Sequence, residues 1–122
     1  MPQAKKSILI VEDEKPMARA LKLKLTHEGL DATAVFDGEE ALRLLKSQKF
    51  DLLILDLVIP KVDGFRVLAE MKSKNIKVPT IVTSNLSQAE DEEKVMALGA
   101  EEFFIKSNIS ISDVVSHVKA IV

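Results

Sequence analysis

Five short apolar runs, separated by segments of roughly helix length, dominate the pattern of hydrophobic and polar positions along the chain. Apolar runs bounded by polar residues are typical of strands that are buried on both faces of a parallel sheet. The alternation of these runs with helical segments predicts an α/β fold with helices on both faces of the sheet. The predicted strands are 7–12, 31–36, 50–56, 78–83 and 102–106.

Local signals mark the ends of the predicted helices. Pro16 suits the first turn of a helix, and Gly29 can adopt the left-handed conformation that ends one. Asp37 and Asp63 each precede a glycine and open the second and third helices. Residues 87–90, Ser-Gln-Ala-Glu, have the form of a capping box and open the fourth.

Length and composition are those of one ordinary globular domain. Of the 122 residues, 47% are hydrophobic and 30% are charged, and we expect a single domain over 1–122. The absence of cysteine excludes disulfides and thiolate metal sites. A net charge of -2 gives no electrostatic case for nucleic-acid binding. No apolar stretch reaches the length of a membrane span, and we expect a cytoplasmic protein without membrane contact.

Side chains that can carry chemistry follow four of the apolar runs. Glu12 and Asp13 follow the first run, Asp56 the third, Thr83 the fourth and Lys106 the last. In open α/β sheets, ligands collect at the carboxyl ends of the strands. We therefore expect three acids, a hydroxyl and an ammonium group at one edge of the sheet.

The three acids are candidate ligands of a metal ion. Carboxylates that converge repel one another unless a cation is present. Oxygen ligands without Cys or His favour a hard ion, Mg²⁺ ahead of a transition metal. The alternative is that Glu12 and Asp13 belong to a solvated acidic turn and that Asp56 caps a helix. The placement of all four elements at strand ends favours the metal site.

Asp56 is also the candidate nucleophile. Aspartate carboxylates can form acyl phosphates during phosphoryl transfer, and the transition state then needs charge stabilisation at the phosphoryl oxygens. Lys106 and a divalent ion can provide that stabilisation, and the Thr83 hydroxyl can donate to a phosphoryl oxygen. Alternatively, Thr83 is an ordinary β-branched strand residue and Lys106 a surface lysine.

Other candidate motifs are weak. We expect His27 and His117 to be exposed, so neither is a candidate nucleophile or metal ligand. The four glycines form no phosphate-binding loop, and Ser84 has no G-x-S-x-G elbow around it.

Several short motifs occur together in the order and spacing of one family. They are Ile-Leu-Ile-Val-Glu-Asp-Glu at 8–14, Asp-Gly-Glu-Glu-Ala-Leu at 37–42, Asp-Leu-Leu-Ile-Leu-Asp-Leu at 51–57 and Pro-Lys-Val-Asp-Gly-Phe at 60–65. Ile-Val-Thr-Ser at 81–84, Leu-Gly-Ala at 98–100 and Lys106 complete the set. Over essentially its whole length the chain resembles the response-regulator receiver domain of two-component signalling.

The resemblance implies a flavodoxin-like (βα)5 fold, a doubly wound parallel sheet of five strands in one domain. It implies a phosphorylation-controlled binding switch rather than an enzyme. The donor would be a sensor histidine kinase or a histidine phosphotransfer protein. The face formed by helix 4, strand 5 and helix 5 would contact an unidentified output protein or domain. We expect no direct nucleic-acid contact and a monomer or weak homodimer.

The resemblance also implies a role for each site residue. Asp56 would accept the phosphoryl group, Thr83 would be the switch hydroxyl and Lys106 the phosphate-binding cation. Phe103 occupies the aromatic position whose rotamer usually follows that of the switch threonine. The protein ligands of Mg²⁺ would be Glu12, Asp13, Asp56 and the backbone carbonyl of Val58.

The chain departs from the family pattern at three positions. Ser107 follows the lysine where the family usually has proline, typically cis. A cis bond before another residue costs about 3–4 kcal/mol, so we expect a trans bond and a differently shaped loop. Phe103 lacks the hydroxyl of the commoner tyrosine, and Val58 replaces the polar or Met residue often found two places after the acceptor.

Three alternative functions stay open at this point. An aspartyl-phosphate phosphatase usually carries a second acid two residues after its nucleophile, where this chain has Val58. The chain could also be a degenerate receiver that binds a partner without phosphorylation. Ser107 favours this alternative, whereas the intact set of acids, threonine and lysine argues against it. A nucleotide or flavin carrier of the same fold would need a phosphate-binding loop, which this chain lacks.

Overall fold

A parallel sheet of five strands runs through the centre of the molecule, with helices on both of its faces. The computed structural model describes residues 5–86 and 88–122. The strands are β1 Ser7–Val11, β2 Asp31–Val35, β3 Leu52–Leu55, β4 Thr80–Ser84 and β5 Glu102–Ile105. The helices are α1 Lys15–His27, α2 Gly38–Ser47, α3 Gly64–Ser73, α4 Ala89–Ala97 and α5 Ile111–Ile121, and a short 3-10 helix spans Lys106–Asn108.

The strand order is β2-β1-β3-β4-β5, and every neighbouring pair is parallel. The chain therefore steps from β1 to one side to form β2, and then returns past β1 to form β3. This order confirms the predicted doubly wound, flavodoxin-like fold. In such sheets the crevice between the two strands where the order reverses, here β1 and β3, is the usual ligand site.

Two apolar clusters, one on each face of the sheet, form the core. In β1, Leu9 and Val11 contribute to the cluster under α2, α3 and α4. Ile8 and Ile10 contribute to the cluster under α1 and α5. Because alternate side chains go to opposite faces and both faces are covered, the strand sequence is apolar throughout.

Helix ends follow the local sequence signals. The Asp37 carboxylate accepts a hydrogen bond from the Glu40 amide at 2.8 Å, and the Asp63 carboxylate accepts one from the Arg66 amide at 2.9 Å. Gly29 has a φ of 83°, as expected of a glycine that ends a helix. The predicted capping box of α4 begins at Ser87, which lies outside the described residues.

His27 is exposed as predicted, whereas His117 is partly exposed, with 43% of its side-chain surface accessible. The His117 ring packs against Phe104 with 4.7 Å between ring centroids. Its Nδ1 lies 2.9 Å from a carboxylate oxygen of Glu102. These contacts join α5 to β5, and the sequence did not indicate them because they depend on how the helix packs on the sheet.

The described helices are all too short or too polar to cross a bilayer. The longest of them, α1, has 13 residues.

Candidate functional site

The acids predicted to meet do so at the carboxyl ends of β1 and β3. Glu12 and Asp13 directly follow β1, and Asp56 directly follows β3. One carboxylate oxygen from each of the three residues lies within 4.8 Å of the other two. Glu12 and Asp56 are buried, with 2% and 4% of their surface exposed, whereas Asp13 is exposed. The cluster occupies the position where a sheet of this order binds its ligand.

Strand register explains why the acids are side by side. Val11 of β1 pairs with Leu55 of β3, so the residues that follow them lie level with each other. The Asp56 amide donates to the Val11 carbonyl at 3.0 Å and continues the pairing beyond the strands. A shift of one residue in either strand would move one carboxylate to the opposite face of the sheet.

Lys106 bridges the two buried acids. Its Nζ donates a hydrogen bond to Asp56 Oδ2 at 2.9 Å and lies 2.5 Å from Glu12 Oε1. The Lys106 side chain is only 8% exposed, although it starts from the end of β5, two strands away from β3. The length of the lysine side chain lets its ammonium reach both acids from the end of β5.

Burial and the neighbouring charges shift the ionisation of this cluster. Burial raises the pKa of Glu12 above its ordinary value, and the Asp56 carboxylate adds to this effect, although Lys106 and the Glu14 amide oppose it. Burial lowers the pKa of Lys106, but contacts with Glu12 and Asp56 outweigh it and raise that pKa overall. Lys106 therefore stays charged, and it is the cation that lets two acids share a buried site.

The acidic oxygens of the cluster outnumber the positive charge that reaches them. Glu12 Oε1 is buried and contacts the Lys106 ammonium, which it shares with Asp56. The other Glu12 oxygen accepts from the Glu14 amide at 3.1 Å. Three carboxylates face a single ammonium group here, so the site has excess negative charge. An oxygen-rich, negatively charged site of this kind fits Mg²⁺.

Thr83 and Phe103 lie on the strands between Asp56 and the sheet edge. Thr83 is 6% exposed near the end of β4, which separates β3 from β5. It also lines a small crevice with Lys106 between α1 and α5. Phe103 is half-buried and packs against the cluster under α2, α3 and α4. Thr83 therefore lies between the acid cluster and β5.

The loop after Lys106 confirms one prediction about Ser107. The described residues contain no cis peptide bond, so the bond before Ser107 is trans. The chain then turns directly into the 3-10 helix Lys106–Asn108. Val58, the other departure near the site, is 59% exposed in the loop after β3.

The sequence reasoning missed the contribution of Gly64 to the site. A Cβ at this position would lie 2.5 Å from the Asp56 carbonyl oxygen and 2.7 Å from the Leu57 Cα. Glycine therefore allows the start of α3 to lie against the backbone of the central acid. The available signal was a glycine directly after a helix-capping aspartate, where the helix itself does not need one.

Comparison with known proteins identifies the family. The family model of the response regulator receiver domain matches residues 8–119. The chain belongs to this family. Receiver domains are the part of two-component response regulators that a kinase phosphorylates. Membership of this family removes the alternative that the chain is a nucleotide or flavin carrier.

Relatives and solved structures agree with this assignment. The chain is 33% identical over 116 residues to the alkaline phosphatase synthesis transcriptional regulatory protein PhoP of Bacillus subtilis. The aligned region covers 95% of this chain and 48% of PhoP. A Francisella response regulator 1452 receiver domain superposes with a TM-score of 0.90 at 29% identity, over 96% of each chain. Response regulator TrrA of Thermotoga maritima, solved in complex with Mg²⁺ and BeF, gives a TM-score of 0.83 at 31% identity, over 96% of this chain and 99% of TrrA. The receiver spans about half the length of the curated relatives it matches.

The bridging role of Lys106 leads to a stability prediction for this receiver. Lys106→Met should lower the free energy of unfolding by about 3–5 kcal/mol, because it leaves two adjacent buried carboxylates without a cation. The matched control is Lys119→Met, which removes an exposed 2.9 Å pair with Glu28 and should change the free energy of unfolding far less, because solvent screens that pair. Urea unfolding without divalent cations measures both. Equal stability of Lys106→Met and wild type would show that Nζ is not the cation that holds the acids together.

Proposed function

We propose that Asp56 is the phospho-acceptor of this receiver and that the chain works as a phosphorylation-controlled switch. The observation that supports this proposal most strongly is the position of the Asp56 carboxylate, buried at the reversal point of the sheet and bonded to Lys106. In the transfer, the phosphorus–nitrogen bond of a donor phosphohistidine breaks and a phosphorus–oxygen bond to Asp56 forms. The donor would be a sensor histidine kinase or a histidine phosphotransfer protein.

Mg²⁺ is the proposed cofactor of the transfer. The protein ligands would be Glu12, Asp13, Asp56 and the backbone carbonyl of Val58. The excess negative charge of the cluster and its set of oxygen ligands support this assignment. Bound there, the ion would neutralise charge on the phosphoryl oxygens.

Lys106 and Thr83 would respond to the new phosphoryl group. Lys106 can keep its contact with Glu12 while its ammonium also pairs with a phosphoryl oxygen, since it has three donors. The Thr83 hydroxyl would donate to another phosphoryl oxygen and move toward it. Phe103 would then repack, and the altered surface would comprise α4, β5 and α5. An added charge thereby biases a two-state element at a distance from the site.

That surface is the proposed contact for an output protein or domain. All four residues of β5 are only half-buried, and β5 is the last strand of the sheet. We further propose a monomer or weak homodimer in the cytoplasm, without direct nucleic-acid contact.

The proposal that the chain is a switch rather than a phosphatase draws on Val58, which stands where a phosphatase carries its second acid. Sustained release of phosphate from a phosphate ester would contradict the proposal that the chain is not a phosphatase.

The acceptor assignment gives the first test of this function. Asp56→Asn should abolish phosphorylation by acetyl phosphate and Mg²⁺, since the attacking carboxylate is gone. Asp51→Asn is the matched control, because Asp51 directly precedes β3, far from the acid cluster, and its carboxylate accepts from the Ser7 amide. Asp13→Ala should weaken Mg²⁺ binding without unfolding the domain, because it relieves like-charge repulsion. Intact mass measures the phosphoryl group, and a full-size signal in Asp56→Asn would refute the acceptor.

The switch assignment gives a second test. Thr83→Ala should still be phosphorylated but should transmit less of the signal to β5, because its hydroxyl donates only after the phosphoryl group arrives. Amide chemical shifts around Phe103 should respond less to beryllofluoride than in wild type, and Thr83→Ser should restore the response. If Thr83→Ala responds as fully as wild type, Thr83 is only a strand residue.

The lifetime of the phosphorylated state gives a third test. Hydrolysis needs a water molecule aligned with the acyl phosphate. The side chain of Val58 is apolar and β-branched, so it cannot hydrogen-bond such a water and has few rotamers with which to move aside. Asn85, which is exposed two places after Thr83, carries no base. We therefore expect slow self-dephosphorylation, and faster decay in the double variant Val58→Asn and Asn85→Glu. Decay is followed after removal of the phosphodonor. An unchanged or slower rate would show that these side chains do not set the lifetime.

A further inference from the structure

The loop between β3 and α3 contains a strained three-residue turn. The Val62 amide donates to the Pro60 carbonyl at 2.8 Å, and Lys61 between them has a φ of 69°. A hydrogen bond between residues two apart around a positive φ defines the rarer and more strained form of γ-turn. A lysine in this conformation carries backbone strain that a glycine would not. Contacts outside the turn must therefore hold it.

The first residue of α2 makes those contacts. The Gly38 amide donates to the same Pro60 carbonyl at 3.2 Å. A Cβ on Gly38 would lie 1.8 Å from the Val62 carbonyl oxygen and 2.7 Å from its carbon. These are backbone atoms, so they could not move aside without moving the whole loop. Gly38 has an ordinary negative or extended φ, so its glycine is required for space and not for conformation.

An ion pair strengthens the same connection. Lys61 Nζ lies 3.8 Å from one oxygen of Asp37, whose other oxygen caps α2 by accepting from the Glu40 amide. The Lys61 side chain is mostly exposed, so the pair adds little free energy. The close backbone contact at Gly38 is the dominant restraint.

This restraint reaches the acid cluster along a short path. Val58 lies two residues before Pro60, and its amide donates to Asp56 Oδ1 at 3.3 Å. The Leu57 carbonyl accepts from the Gly64 amide at 2.9 Å, which fixes the other part of the loop. With Pro60 held by Gly38, the segment that carries the Val58 carbonyl is tied on both sides. Mg²⁺ requires near-octahedral geometry, so small shifts of a carbonyl ligand weaken binding.

We propose that Gly38 is a positioning residue that sets the Mg²⁺ affinity of the site: by holding the turn at Lys61, it fixes where the Val58 carbonyl lies. The start of α2 would thereby support the metal site without contributing any of its proposed ligands. This inference rests on the proposed function, since it takes Val58 as a ligand.

Gly38→Ala tests the spatial restraint. The added Cβ should displace the loop and raise the dissociation constant for Mg²⁺ about tenfold or more, as loss of outer-shell support usually does. The measurement is a Mg²⁺ titration followed by amide chemical shifts. Gly29→Ala is the matched control, because that glycine also lies beside a helix end but has nothing within 4 Å of its added Cβ. It should lower the melting temperature and leave the dissociation constant unchanged.

Lys61 provides a test that does not depend on the folding of Gly38→Ala. Lys61→Val and Lys61→Gly both remove the ion pair with Asp37, but only valine resists the positive φ. We expect weaker Mg²⁺ binding in Lys61→Val and wild-type binding in Lys61→Gly. Unchanged dissociation constants in Gly38→Ala and Lys61→Val, with normal binding by wild type, would overturn this inference alone. A wild-type protein without a saturable Mg²⁺ response would overturn the proposed metal site and this inference together.

Discussion

The contact of the Lys106 ammonium with Glu12 and Asp56 is the interaction on which the rest of the site depends. The parallel register of β1 and β3 forces two carboxylates into adjacent buried positions. Burying charge in this way is costly unless a partner of opposite sign is present. Lys106 is that partner, and it arrives from the last strand of the sheet. The sheet order, the strand register and the charge of one lysine thus have to agree for the site to form.

The same arrangement leaves the site short of positive charge, and this shortage accounts for the proposed chemistry. Three carboxylates share one ammonium group, and two of the three are buried. A divalent ion would make up the difference, and a phosphoryl group on Asp56 would change it again. Each change alters what Lys106 and Thr83 can contact. Thr83 lies on β4 and Lys106 directly follows β5, so a local change of charge would have a direct path to the proposed output face.

Much of this organisation could be predicted from the sequence, because its signals are local. Asp56 ends an apolar run, and Asp37 and Asp63 each precede a helix. Each of these positions can therefore be recognised from its neighbours in the sequence. Contacts between distant segments carry no such signal. The packing of His117 on Phe104 depends on how α5 lies on the sheet. The approach of Val62 to Gly38 depends on the path of a loop that no periodicity describes.

The central claim is that a phosphoryl group forms a bond with Asp56 and with no other residue of the chain. Borohydride reduces an aspartyl phosphate to homoserine, so it marks the acceptor permanently. The wild-type protein, incubated with acetyl phosphate and Mg²⁺ and then reduced and digested, should contain homoserine at position 56 by peptide mass spectrometry. The mark should be absent when a chelator replaces Mg²⁺. Homoserine at another aspartate, or a phosphorylated protein in which position 56 remains aspartate, would contradict the account.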